Sequence, residues 1–140
     1  MGKINIARVI LGGLLAGLVM NVGEYILNIY VMAEQSSSIL ARLGLPPIGT
    51  NQIIVFFGLG FVIGIVLIWL YAGIRPRFGA GIKTAIIAGV TVWLLGLPSA
   101  VGDVIVGIVP ANVLLLGAAW GLVETSIAAA AGAWLYQESA

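Results

Sequence analysis

The chain has 140 residues, 61% of them hydrophobic and 8% charged, with 20 glycines, no cysteine, no histidine and a formal net charge of +1. A soluble domain is about half apolar and a quarter charged, so this composition predicts a single domain whose apolar surface faces lipid rather than a buried core. Without Cys or His there is no disulfide, no Cys nucleophile and no usual ligand set for haem, zinc, copper or iron–sulfur clusters, and the scattered Lys and Arg residues make no basic patch, which excludes nucleic acid as a partner.

The first apolar stretch is Ile6–Val31. Lys3 and Arg8 before it and Val31-Met32-Ala33 after it have the look of a signal peptide, but a signal h-region is about 7–15 residues and this run goes on through Gly17, Asn21 and Glu24. It reads as a membrane span. In Ala33–Asn51, Ile39-Leu40-Ala41-Arg42-Leu43 forms a short amphipathic run stopped by Gly44 and Pro46-Pro47. An interfacial helix and an ordinary polar loop fit it equally well.

Three further stretches follow, Ile53–Tyr71, Ile82–Val109 and Asn112–Tyr136. Each is near or above the ~20 residues that cross about 30 Å of hydrocarbon as a helix, and none alternates in polarity as a barrel strand would. Arg75-Pro76-Arg77-Phe78-Gly79 reads as the tight turn between the second and third spans. Pro98 falls inside the third span, where it either kinks a continuous helix or ends it before a re-entrant piece; a kinked continuous helix is the preferred reading. The fold class expected is therefore all-α, a membrane-spanning four-helix bundle with a short interfacial segment between the first and second spans. Lys3, Arg8, Arg75, Arg77 and Lys83 fall on one side and Arg42 on the other, so the positive-inside rule puts both termini in the cytoplasm. Trp69-Leu70-Tyr71 and Trp134-Leu135-Tyr136 then end their helices at that same boundary.

At about 100° per residue, Gly13, Gly17, Asn21, Glu24 and Asn28 share one face of the first span, and Gly117, Gly121, Glu124, Ala128 and Gly132 share one face of the fourth. Gly60 and Gly64 on the second span and Ala85, Gly89, Gly96 and Ala100 on the third add small-residue faces, the kind that lets helix backbones approach closely in lipid. Counting 1.5 Å per residue from the boundary markers places Asn21 and Glu124 at similar depth, with Glu24 and Ser99 somewhat beyond them. A buried polar cluster of Asn21, Glu24, Ser99 and Glu124 is expected, with Asn28 and Asp103 toward its outer mouth and no Lys or Arg at that depth. Desolvation and mutual repulsion both oppose two charges there, so at least one of the acids should carry a proton.

Such a cluster is either a proton or cation site, as intramembrane acids often are, or structural glue in which a neutral Glu hydrogen-bonds Asn21 and sets helix register. Trp93 and Trp120 lie within spans, where they could border a flat quinone or pigment; packing against glycine is the commoner role, and no cofactor is expected. Ser36-Ser37-Ser38 has no His partner and no phosphate loop occurs, so the chain reads as a non-enzyme.

The stretches Gly12–Glu24, Tyr71–Gly79 and Trp120–Glu124 resemble those of small uncharacterised bacterial four-helix membrane proteins. That resemblance implies a bacterial inner membrane and brings no activity with it. Together these readings predict an accessory or structural component of a membrane assembly, a homo-oligomer or a larger complex joined through Gly-rich helix faces. The rival is a proton- or cation-coupled transporter using Glu24 and Glu124.

Overall fold

The structure, a computed structural model, describes residues 3–138. Five α-helices follow one another: α1 (Ile6–Ile26), α2 (Ala33–Arg42), α3 (Thr50–Phe78), α4 (Ile82–Ile105) and α5 (Ala111–Leu135), with a π-helical turn at Leu27–Val31 prolonging α1. No strand occurs among the described residues. α1 with its π turn, α3, α4 and α5 are each long and apolar enough to cross a membrane, which makes the chain a multi-pass membrane protein.

The helix ends have local causes. Asn5 caps α1, its Oδ1 accepting from the Arg8 N–H at 3.2 Å. Gly44 and Gly79, just past α2 and α3, have φ of 68° and 87°, a region that residues with a Cβ avoid. The turn expected at Arg75–Gly79 is instead the last turn of α3, which runs through Pro76 to Phe78. Near a helix C-terminus the missing proline N–H forfeits one backbone bond, and the chain reverses only at Gly79-Ala80-Gly81. Pro98 likewise lies inside a continuous α4. The segment after the first span is helical from Ala33, so the three serines lie in α2; Ser37 and Ser38 turn their hydroxyls back to the carbonyls of Glu34 and Gln35, both at 2.8 Å.

α1 sits between α3 and α5, α4 lies on α5, and α3 meets α4 beside the turn that joins them. The contacts are made through glycine. A Cβ at Gly17 would lie 2.7 Å from the Phe61 Cα, and one at Gly64 would lie 2.8 Å from the Gly17 Cα, so α1 and α3 touch backbone to backbone. Gly12 and Gly132 do the same for α1 and α5, each facing the other's carbonyl, and Gly89 faces the Thr125 carbonyl to join α4 to α5. In lipid, where burying apolar surface brings helices no advantage, such close van der Waals contact is what holds them.

Burial is uneven along the bundle. The core residues Leu67, Ile68 and Ala72 of α3, Ala85 and Ala88 of α4, and Ala128 and Ala129 of α5 all belong to the half that carries the termini and the α3–α4 turn. That end is also stitched by polar groups. The Tyr71 hydroxyl accepts from the Gly81 N–H at 3.2 Å, Thr84 donates to the Gly79 carbonyl at 2.7 Å, and the rings of Tyr71 and Tyr136 meet edge to face at 5.8 Å. Arg75 lies 5.6 Å over the Tyr136 ring and pairs with Glu138 at 3.1 Å. Trp69 and Trp134 are exposed, as boundary residues should be, but Tyr71 and Tyr136 are buried. Two residues on a helix differ by about 200°, so each Trp-Leu-Tyr triplet turns its Trp outward and its Tyr inward.

Candidate functional site

Where the tight half of the bundle ends, α1 and α5 place Gly23 against Glu124. A Cβ at residue 23 would stand 2.9 Å from the Glu124 Cδ and 3.2 Å from Oε1, so the glycine leaves the room that the carboxyl occupies. Glu124 is 7% exposed, and neither carboxyl oxygen has a hydrogen-bond partner. One turn earlier on α5, the Trp120 Nε1–H is also buried without a well-aligned acceptor, and the Glu124 carboxyl is the acceptor nearest to it. Side chains on a helix lean toward its N-terminus, so Glu124 leans toward the turn that carries Trp120. The one ion pair among the described residues, Arg75 with Glu138, lies at the far end near the termini.

Asn21 is buried one turn before Glu24 and faces α3 rather than α5. Its Nδ2 donates to the Phe57 carbonyl at 3.0 Å, and its amide fills the space where a Cβ on Gly60 would be. Asn21 is thus an interhelical bond in its own right.

The remaining residues of the expected cluster are not buried with Glu124, although Glu24 lies within electrostatic reach of it. Glu24 is exposed, because the residue after Gly23 points about 100° away from the α5 contact. Its Oε2 accepts from the Asn28 Nδ2 at 3.0 Å, and the same nitrogen reaches the Glu24 carbonyl at 2.8 Å, a local clasp where α1 widens into its π turn. Ser99 is exposed on α4. Asp103 is half-buried and lines a groove. The expected residues are therefore only partly drawn together: Glu124 and Asn21 are buried on opposite flanks of α1, Glu24 is at the surface but within electrostatic reach of Glu124, and Asn28, Ser99 and Asp103 are not buried with them.

No family model, curated protein or solved structure matches the chain. The site's chemistry therefore rests on its own geometry.

The groove lies beyond Glu124, in the half away from the termini. It has a volume of about 340 Å³ and runs between α4 and α5, with Met20 of α1 and Ile63 of α3 contributing to its wall. Trp93 lines it and donates its Nε1–H to the Ala118 carbonyl at 2.9 Å. Of the glycines expected to pack helices, Gly13, Gly17, Gly60, Gly64 and Gly89 do so; Gly121 meets only the Trp93 ring, and Gly117 opens onto the groove with nothing within 4 Å of its added Cβ. The sequence carried no sign that Trp93 and Asp103 share a wall, although their spacing of ten residues on one helix is compatible with it. The Tyr71–Tyr136–Arg75 clamp was missed for a simpler reason: all three residues read as boundary markers.

Proposed function

We propose that the chain is a small proton-coupled transport protein of a bacterial inner membrane, with both termini cytoplasmic and no enzymatic activity, in which Glu124 is the group that binds the ion. The observation that carries this is a buried carboxyl that has no cation near it among the described residues and at most the Trp120 N–H as a donor. A carboxylate held in low dielectric without a partner is costly, so its charge must be neutralised by something that comes and goes or by a proton. A metal cation such as calcium or magnesium takes about six or more oxygen ligands, whereas a proton needs only the one carboxyl that this site provides. Structural glue would instead bond across helices, as the Asn21 Nδ2 does to the Phe57 carbonyl.

The test is proton uptake into liposomes under an imposed pH gradient, with wild type, Glu124→Gln and Glu24→Gln at equal incorporation. The reading expects wild-type flux above that of empty liposomes, abolished by Glu124→Gln and retained by Glu24→Gln. Wild-type flux no greater than that of empty liposomes, from protein that keeps its native helix content, would refute it.

A second reading, an accessory member of a membrane assembly, is supported by glycines at 58, 96, 102 and 117 that meet nothing within 4 Å and could receive another chain. Light scattering of the detergent-solubilised protein tests it: a strictly monomeric protein isolated without companions counts against this reading.

A further inference from the structure

We infer that the groove between α4 and α5 binds an amphipathic ammonium compound, with the cation at Asp103 and the apolar tail running along the helices to Trp93. This inference is independent of the proton reading, since Glu124 does not line the groove.

Three observations carry it. The cavity, at about 340 Å³, lies within the ~300–1,000 Å³ typical of small-molecule sites. Its wall is almost wholly apolar, from Met20, Ile63 and Trp93 to Gly117, and the one charged side chain in it is Asp103. Asp103 has no ion pair among the described residues; the cation at the same end of the bundle, Arg42 of α2, keeps its charge but directs its guanidinium to the Ile108 carbonyl in the α4–α5 connection rather than to the carboxylate. An apolar trough whose one charged lining group is a carboxylate without an ion pair complements a cationic head on an apolar tail and opposes an anionic one.

Length follows from the helix rise. Asp103 and Trp93 are ten residues apart on α4, about 15 Å along the axis, which a dodecyl chain spans. Trp93 at the inner end supplies a broad apolar face and a reporter. The glycines keep the trough open: side chains at 96 and 117 would enter space that no neighbour occupies.

The experiment uses the full chain in phosphatidylglycerol nanodiscs, which carry no ammonium. Tryptophan fluorescence is followed while 12-bromododecyltrimethylammonium or 12-bromododecanoate is added; bromine on the tail quenches an indole it touches. The expected result is saturable quenching by the ammonium compound at a concentration at least about tenfold below that of the carboxylate. Asp103→Asn should reduce that preference to the level that attraction of the ammonium to the anionic bilayer alone produces, and Gly117→Leu, which fills the groove without meeting a neighbour, should remove the saturable phase for both. If phosphatidylethanolamine added to the disc displaces the probe, the natural ammonium comes from a lipid headgroup; if it does not, from a free amphiphile, and either outcome supports the site. Quenching that rises in proportion to bilayer partition without saturating overturns it, as does a preference unchanged in Asp103→Asn. A dimer that Gly117→Leu converts to monomer also overturns it, because a second copy then fills the groove.

Discussion

Gly64→Ala tests the idea that backbone contact between α1 and α3 holds the bundle. The new Cβ would stand 2.8 Å from the Gly17 Cα and closer still to the Gly17 nitrogen and the Gly13 carbonyl oxygen, all backbone atoms that cannot rotate away. Carbon atoms pack at about 3.5–4.0 Å, so the helices must part by roughly 0.7–1.2 Å at this point. Overpacking of this kind costs about 1–3 kcal/mol, and the parting strains the Asn21–Phe57 bond, worth about 0.6 kcal/mol for an average polar contact in a membrane bundle. Against this, alanine in a helix gains about 0.5–1 kcal/mol over glycine. The net is a loss of about 0.6–3 kcal/mol. Gly58→Ala on the same helix is the control, because its Cβ meets nothing within 4 Å and only the gain should remain. Unfolding in mixed micelles by increasing dodecyl sulfate fraction, followed by far-ultraviolet circular dichroism, gives both midpoints. A Gly64→Ala midpoint at or above that of Gly58→Ala would refute backbone contact as the source of stability.

Asn21→Ala should destabilise the bundle by about 0.6–1.7 kcal/mol, the range for interhelical hydrogen bonds in lipid, whereas Asn28→Ala, whose clasp to Glu24 is exposed, should stay within about 0.5 kcal/mol of wild type; the same unfolding assay reads both. Arg42→Ala releases α2 from the Ile108 carbonyl, and should speed amide hydrogen exchange in α2 and in residues 106–109 while leaving α1, α3 and α5 unchanged. Because the chain has no native cysteine, Gln137→Cys gives a single thiol beside the termini, which a membrane-impermeant maleimide should reach in inverted inner-membrane vesicles but not in intact cells once the outer barrier is opened. Labelling in the intact preparation would reverse the proposed orientation.

The spans were legible because lipid imposes a long, uninterrupted apolar run on each crossing helix, and their limits moved by few residues except in α3. There the apolar count stopped at Tyr71, but the helix continues to Phe78, since Arg75 and Arg77 can leave the membrane without leaving the helix. Small-residue periodicity likewise identified the α1 and α3 faces that touch at Gly13, Gly17 and Gly64. Periodicity assigns a residue to an arc, however, and not to a partner. Asn21 and Glu124, at similar depth on inward arcs, were expected to meet, but α1 lies between two helices, so one face serves α3 through Asn21 and the opposite face, about 200° round the helix, serves α5 through Gly23. Glu24 was placed with them on an 80° arc that the real contact is too narrow to include. Ser99 failed for a different reason: the small-residue stripe of α4 is used at Ala85 and Gly89 and then abandoned as α4 leaves the bundle core.

That departure gives the molecule its division of labour. Toward the termini, Gly12 against Gly132, Ala85 and Ala88 within the core, and the Tyr71–Tyr136 pair hold the helices in close contact. Beyond Gly89 and Glu124 the buried positions of α4 and α5 cease, and the groove opens between them. Glu124 stands at the junction as the first buried residue of α5 met from the open side, adjacent in sequence to Thr125, which lines the groove. A carboxyl in the tight half would be sealed, and one in the groove would be solvated by whatever fills it. At the junction, the fit of Glu124 against Gly23 sets what the carboxyl meets, so on the proton reading a bulkier residue at 23 would disturb the site while the glycine contacts of the tight half stay in place.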